Sequence, residues 1–217
     1  MMRVLRVVAA VVMTLALAVA PAAAQTIGFK IGPTFSKADV DDEEGAAETL
    51  GSFGGGGFVR FGFAGFILQA EVLALTKGAA SSIPDGVGGT FDAELKMNYI
   101  EIPLTAMFSF GGGPYIFAGP SVAFETGCEV EFGDDSGSIE SDCDDEEGQI
   151  DRKKVDFSLV GGAGFQFPAG PGHILLEGRY IYGLSDIADD PSATDSQFKH
   201  RTWFVAAGYA IPIGSVR

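Results

Sequence analysis

KMNYIEIPLTAMFSF, GGG and PYIFAGPSVAFE run consecutively over residues 96–125 and decide the fold. In the first run Ile100, Ile102, Leu104, Ala106, Phe108 and Phe110 share one parity, and Tyr99, Glu101, Thr105 and Ser109 share the other. Period two with unlike faces is the pattern of a strand. The last run repeats it, with Ile116, Ala118, Pro120, Val122 and Phe124 opposite Gly119, Ser121 and Glu125. Both runs exceed the five or six residues usual in soluble sheets, and they suit a tilted bilayer crossing, which takes about 9 to 11. The stretch predicts a membrane hairpin turned by Gly111–Gly113.

The pattern recurs on both sides. Thr26–Lys37 sets Ile27, Phe29, Ile31 and Phe35 against Lys30, Gly32, Thr34 and Ser36. Gly51–Phe63 sets Phe53, Val59, Phe61 and Phe63 against glycines and Arg60, and turns at Ala64-Gly65. Phe66–Lys77 places Phe66, Leu68, Ala70, Val72 and Ala74 opposite Gln69 and Glu71, with Ile67, Leu73 and Leu75 blurring the contrast. After the hairpin, Val155, Phe157, Leu159, Ala163, Phe165 and Phe167 oppose Asp156, Ser158, Gly162, Gly164 and Gln166, ending at the turn Pro168–Gly172. His173–Leu184 sets Ile174, Leu176, Tyr180, Tyr182 and Leu184 against Glu177 and Arg179. In the last strand Trp203, Val205, Ala207, Tyr209 and Ile211 alternate with Thr202, Ala206 and Gly208.

Eight strands follow, joined alternately by long polar connections (38–50, 78–94, 126–152 and 185–200) and by short turns, as in outer-membrane barrels. Phe61, Phe63, Phe66, Phe108, Phe110, Phe165 and Phe167 lie beside the short turns as one aromatic girdle, and Tyr180, Tyr182 and Trp203 lie toward the opposite rim as another. The fold class is all-β: an eight-stranded antiparallel up-and-down transmembrane β-barrel.

Residues 1–24 read as a cleavable signal peptide, with Arg3 and Arg6, an apolar run from Val7 to Ala20, and Ala22-Ala23-Ala24 before Gln25. Residues 25–217 form the barrel domain. Removing the signal leaves 12 basic residues against 29 acidic ones, a charge of −17. No basic patch invites nucleic acid, and no nucleic-acid partner is expected. No later segment holds about 18 consecutive apolar residues, so any membrane crossing must use a closed sheet.

The opening IGFKIGPTFS, the hairpin YIEIPLTAMFSFGGGPYIFAGPSVAF, GGAGFQF and LLEGRYIYGLSDI together resemble the PorT-like outer-membrane β-barrel domain family of Gram-negative envelopes. Tyr99, Glu101 and Pro103, followed by Ala118-Gly119-Pro120, carry the most specific part of the likeness. It implies an eight-stranded barrel in the outer membrane and brings no catalytic centre. Such barrels usually finish on an aromatic residue read by the assembly machinery, whereas this chain ends Gly214-Ser215-Val216-Arg217, which leaves Tyr209 as the internal substitute.

Ionisable residues at membrane depth call for a functional account. The inward parity carries Lys30, Arg60, Glu71, Glu101, Glu125, Asp156, Glu177 and Arg179. An eight-stranded barrel leaves room only for side chains, so these are expected to form a salt-bridged plug in which Lys30, Arg60 and Arg179 neutralise several of the five acids. The connection 126–152 holds eleven acids between Glu129 and Asp151, around the only cysteines, Cys128 and Cys143, which are expected to pair in an oxidising compartment. Its carboxylates read first as solvated acid; the alternative is that they hold Ca²⁺ or divalent ions bridging to lipopolysaccharide, although the EF-hand spacing is absent. The other expected partners are outer-membrane lipid and, during biogenesis, the barrel-assembly machinery. No cofactor and no metal centre is predicted. Only His173 and His200 are available as catalytic bases, at opposite ends of the barrel, with Ser185 or Ser196 near the latter and no motif around them. The expected role is a non-enzymatic barrel presenting acidic external loops; a narrow small-solute channel and a lipid A-modifying hydrolase are the alternatives.

Overall fold

The computed structural model describes residues 24–40, 49–63, 65–84, 90–134, 137–143, 154–185 and 198–213. The expected signal lies outside them except for Ala24, as do most of 38–50 and 185–200. Nine strands appear in chain order: β1 (Ala24–Val40), β2 (Leu50–Phe63), β3 (Phe66–Pro84), β4 (Thr90–Ser109), β5 (Pro114–Asp134), β6 (Gly137–Asp142), β7 (Val155–Ala169), β8 (Gly172–Gly183) and β9 (Phe198–Pro212). Eight of them pair with their neighbours in sequence, and β1 with β9 closes the cylinder; β6 pairs only with β5, above the point where β7 takes over that edge. The barrel is an eight-stranded antiparallel up-and-down one.

Alternation fixes which face meets lipid. Phe29, Phe53, Leu104, Ile116, Phe157, Trp203 and Val205 are each 45–61% exposed. On the alternate parity Lys30, Glu71, Glu101, Asp156, Glu177 and Arg179 are at most 4% exposed. A soluble barrel would show the reverse, because water rather than acyl chains would surround it.

The short turns need glycine where the backbone enters the left-handed region, at Gly65 (φ 96°), Gly111 (φ 61°), Gly112 (φ 86°) and Gly170 (φ 60°). Around them Phe63 stacks on Phe66 at 5.2 Å, Phe66 lies 6.3 Å from Phe108, and Phe165 lies 6.3 Å from Phe167. The Tyr209 hydroxyl donates to the Ala169 carbonyl at 2.7 Å in the same zone. At the other rim Tyr180 and Trp203 sit 5.0 Å apart. Phe61 departs from the expected girdle: it shares the outward parity of Phe63 but is only 7% exposed.

Two of the expected long connections are largely sheet. β3 continues to Pro84 and β4 starts at Thr90, and their ladder runs unbroken from Thr76↔Asn98 to Pro84↔Thr90. β5 continues to Asp134 and folds back as β6. Ala93, Leu95 and Met97 alternate with Asp92, Glu94 and Lys96, and Cys128 and Val130 alternate with Glu129 and Glu131, so period two persists beyond the membrane-length segments. The density of charge in these stretches resembles solvated loop and hides the pattern.

Candidate functional site

The lumen is packed with side chains. Lys30, Arg60, Lys77, Arg179, Glu71, Glu101, Glu125, Asp156 and Glu177 are all buried in it. Strand order divides them into two clusters. In the lower one, toward the short turns, the Lys30 ammonium lies 3.1 Å from Glu71 and 2.9 Å from Glu177. Arg179 donates to both oxygens of Glu71 at 2.9 and 3.0 Å, and its Nε donates to Glu177 at 3.0 Å. Two cations and two carboxylates thus form a closed square, the charge-assisted geometry that repays desolvation. Tyr115 donates its hydroxyl to Glu177 at 3.2 Å.

Arg60 joins this square indirectly. Its Nε donates to Gln69 at 2.6 Å and its Nη1 to Gln166 at 3.1 Å, and the Gln69 amide donates in turn to Glu71 at 2.8 Å. The expected neutralisation by Arg60 is therefore relayed through an amide. The guanidinium also lies over the rings of Phe58 at 4.7 Å and Tyr115 at 5.5 Å, and Arg179 lies over Phe117 at 5.2 Å and Phe204 at 5.7 Å.

In the upper cluster Lys77 contacts Glu101 at 2.8 Å and Asp156 at 3.7 Å, with the Ser121 hydroxyl donating to Glu101 at 2.8 Å and the Tyr99 ring centred 5.2 Å from the ammonium. Lys77 was not among the expected lumen residues, although its parity with Glu71, Leu73 and Leu75 pointed inward. Glu125 stands at the barrel mouth, where its backbone N–H donates to the Lys154 carbonyl at 2.9 Å. On β3 Leu73 and Leu75 separate Glu71 from Lys77, and they belong to an apolar cluster with Met107, Phe117, Val160 and Phe204 that alternation along the strands does not reveal. The residues that blurred the β3 pattern are thus inward-facing core.

Above the barrel β3–β6 form a short outer sheet. Met97, Tyr99, Ala123 and the Cys128–Cys143 pair bury one face as a second apolar cluster, with Leu95 and Val130 packed on it. The disulfide links Cα atoms 5.5 Å apart and ties β5 to the residue after β6. On the other parity, register sets Glu94 directly opposite Glu131. Like charges in such positions repel. Lys96 offsets this by reaching Glu94 at 2.9 Å and Glu131 at 2.7 Å, and hydrogen bonds to Glu131 and then Glu94 hold its ammonium above its ordinary pKa.

Among the described residues no group of three or more His, Cys, Asp or Glu side chains is arranged to hold a metal ion. Backbone register puts His173 beside Pro168 at the turn end and His200 beside Ala38 at the far end. The Ser185 hydroxyl accepts the Phe157 N–H at 2.9 Å; Ser196 lies outside the described residues.

Residues 23–189 match the family model described as outer membrane protein beta-barrel domain. No curated protein sequence matches the chain. Among solved structures, Ail, the attachment invasion locus protein of Yersinia pestis, is 18% identical, with 87% of this chain and 99% of that one covered and a TM-score of 0.42. Neisserial surface protein A is 8% identical, covering 85% of this chain and 96% of that one with a TM-score of 0.45. OprG of Pseudomonas aeruginosa is 15% identical, with 87% and 97% covered and a TM-score of 0.42. The chain belongs to the outer membrane protein β-barrel domain family and resides in the outer membrane.

Proposed function

We propose that this is a non-enzymatic, non-conducting barrel, of the PorT-like kind within its family, whose work is to hold an acidic sheet and its loops at the cell surface. The observation that carries the reading is the filled lumen, where cations and carboxylates meet at hydrogen-bond distance beside packed apolar side chains. An ion crossing it would have to break charge pairs sealed from water, which costs several kcal/mol per ion. Planar-bilayer recording tests this: no steady open-channel current is expected, and large sustained conductance would replace the plug with a channel. Lipid A of unchanged mass in cells with and without the protein is expected, and an altered mass would reinstate a lipid hydrolase.

The partners in this reading are outer-membrane lipid and lipopolysaccharide around the wall, the barrel-assembly machinery during insertion, and divalent cations at the acidic 126–152 segment. Nucleic acid is not among them. Calorimetric titration with Ca²⁺ tests the cation, and absence of heat removes it. The mature chain begins at Gln25 in this reading, which N-terminal sequencing of the membrane-extracted protein decides.

A further inference from the structure

In the lower lumen cluster Lys30, Arg60 and Arg179 face Glu71 and Glu177, three positive charges against two negative, and Lys30 and Arg179 take up both acids. Among the described residues Arg60 meets no carboxylate; it donates to neutral amide oxygens, of Gln69 at 2.6 Å and of Gln166 at 3.1 Å. Glu101 and Asp156 gather around Lys77 instead. The chain before Thr26, Ala64 between β2 and β3, and the chain after Ile213 contain no aspartate or glutamate. A guanidinium does not give up its proton, so burial to 4% exposure leaves a full positive charge to be balanced. Water can complete its hydrogen bonds but cannot supply the missing negative charge.

The place of Arg60 in the barrel suits a ligand from the periplasm. It stands near the short-turn end of β2, level with Thr26 on β1 and Gln69 on β3, and short turns are the periplasmic ones. The rings of Phe58 and Tyr115 pack against the guanidinium and keep its surroundings apolar. Gln69 holds Nε, whereas Nη2 has no hydrogen-bond partner. Nη1 reaches the Gln166 carbonyl at 3.1 Å, longer than the charge-assisted range of about 2.7–2.9 Å. Gln166 is only half-buried, close to the end of β7 at Ala169, so its amide can turn out toward the periplasm while Arg60 stays in place. We propose that Arg60 is the receptor of a periplasmic carboxylate-binding site. Gln166 turns aside, and the two oxygens of a small carboxylate pair with the Nη1–Nη2 edge, the fork that a guanidinium offers to planar anions.

The test is solution NMR of the isotope-labelled full barrel in detergent at neutral pH, following the Arg60 Nε–H resonance, which Arg60→Met identifies by its loss. Sodium acetate and sodium chloride are titrated at matched ionic strength. Wild type is expected to show a saturating shift with acetate, at a concentration about tenfold lower than any response to chloride, while the Arg179 resonance stays still. Gln166→Glu places a carboxylate on the same edge from the chain itself. It should abolish the acetate response and lower the urea-unfolding equilibrium constant about tenfold, and acetate should protect wild type but not Gln166→Glu in that assay. If Arg60→Met does not fold, the urea arms with wild type and Gln166→Glu decide alone. Equal drift with the two salts, an acetate response retained in Gln166→Glu, or a Gln166→Glu barrel no more stable than wild type would overturn the site.

Discussion

Replacing Arg179 by Met removes one corner of the lower square while keeping a long apolar stem. Arg179 is 0% exposed, and its loss leaves Glu71 and Glu177 sharing Lys30 alone, two carboxylates against one ammonium in a sealed lumen. Removing one partner from a buried, hydrogen-bonded charge pair costs about 3–5 kcal/mol, mostly because the remaining charge stays buried. The cation contacts to Phe117 and Phe204 are lost too, although the methionine stem keeps packing on both rings. Adding Glu71→Gln restores the balance, with Lys30 and Glu177 still 2.9 Å apart, and should recover most of the loss. Urea unfolding from lipid vesicles reads this through Trp203, the only tryptophan, which sits 54% exposed on the lipid face and changes environment when the barrel leaves the bilayer. A cost below about 1 kcal/mol for Arg179→Met, or a second substitution that adds to the damage, would mean that water rather than Arg179 balances these acids and that the lumen is not a dry, charge-paired plug.

Cys128→Ser should weaken the outer hairpin by about 3 kcal/mol at most, given a separation of 15 residues, so limited proteolysis should cut near β6 while heat-modifiable migration of the barrel persists. Gly56→Val should block folding, because a Cβ there would stand 2.0 Å from the Val72 carbonyl oxygen, whereas Gly161→Leu should fold normally; gel migration after refolding separates them. Lys96→Gln leaves Glu94 and Glu131 facing each other and should cost about 0.2–1 kcal/mol, shrinking as salt rises, seen as faster hydrogen exchange at the β4–β5 ends.

Strand number, closure and the orientation of the two faces were legible because lipid and lumen impose opposite chemistry on successive residues. Ile27, Phe29 and Ile31 can face only lipid, and Lys30 between them only the interior. What stayed hidden follows from the narrowness of the cylinder. Its interior must be packed as well as charged, so Leu73, Leu75, Phe58 and Phe204 point inward and look like noise in a simple apolar-out, polar-in reading. Lys77 was passed over because it sits where the strand was expected to end. Pairing partners such as Glu71 for Arg179, 108 residues apart, depend on stagger between strands, which alternation along one strand does not encode. The outer sheet was missed because charge density around Glu129 and Glu131 masked their alternation with Cys128 and Val130.

The first and last strands meet along a single seam, and every other barrel pairing joins strands consecutive in the cylinder and close in the chain. Thirteen residue pairs, from Thr26↔Pro212 to Val40↔Phe198, zip it shut. Bringing the two ends of so long a loop together is the costliest contact to make, and an unzipped edge has no water to satisfy it inside a bilayer. Sealing of this seam is therefore the committing event of insertion, and lesions in β1 or β9 should stall the protein as an open sheet while equal lesions in the central hairpin are met by neighbours already in place.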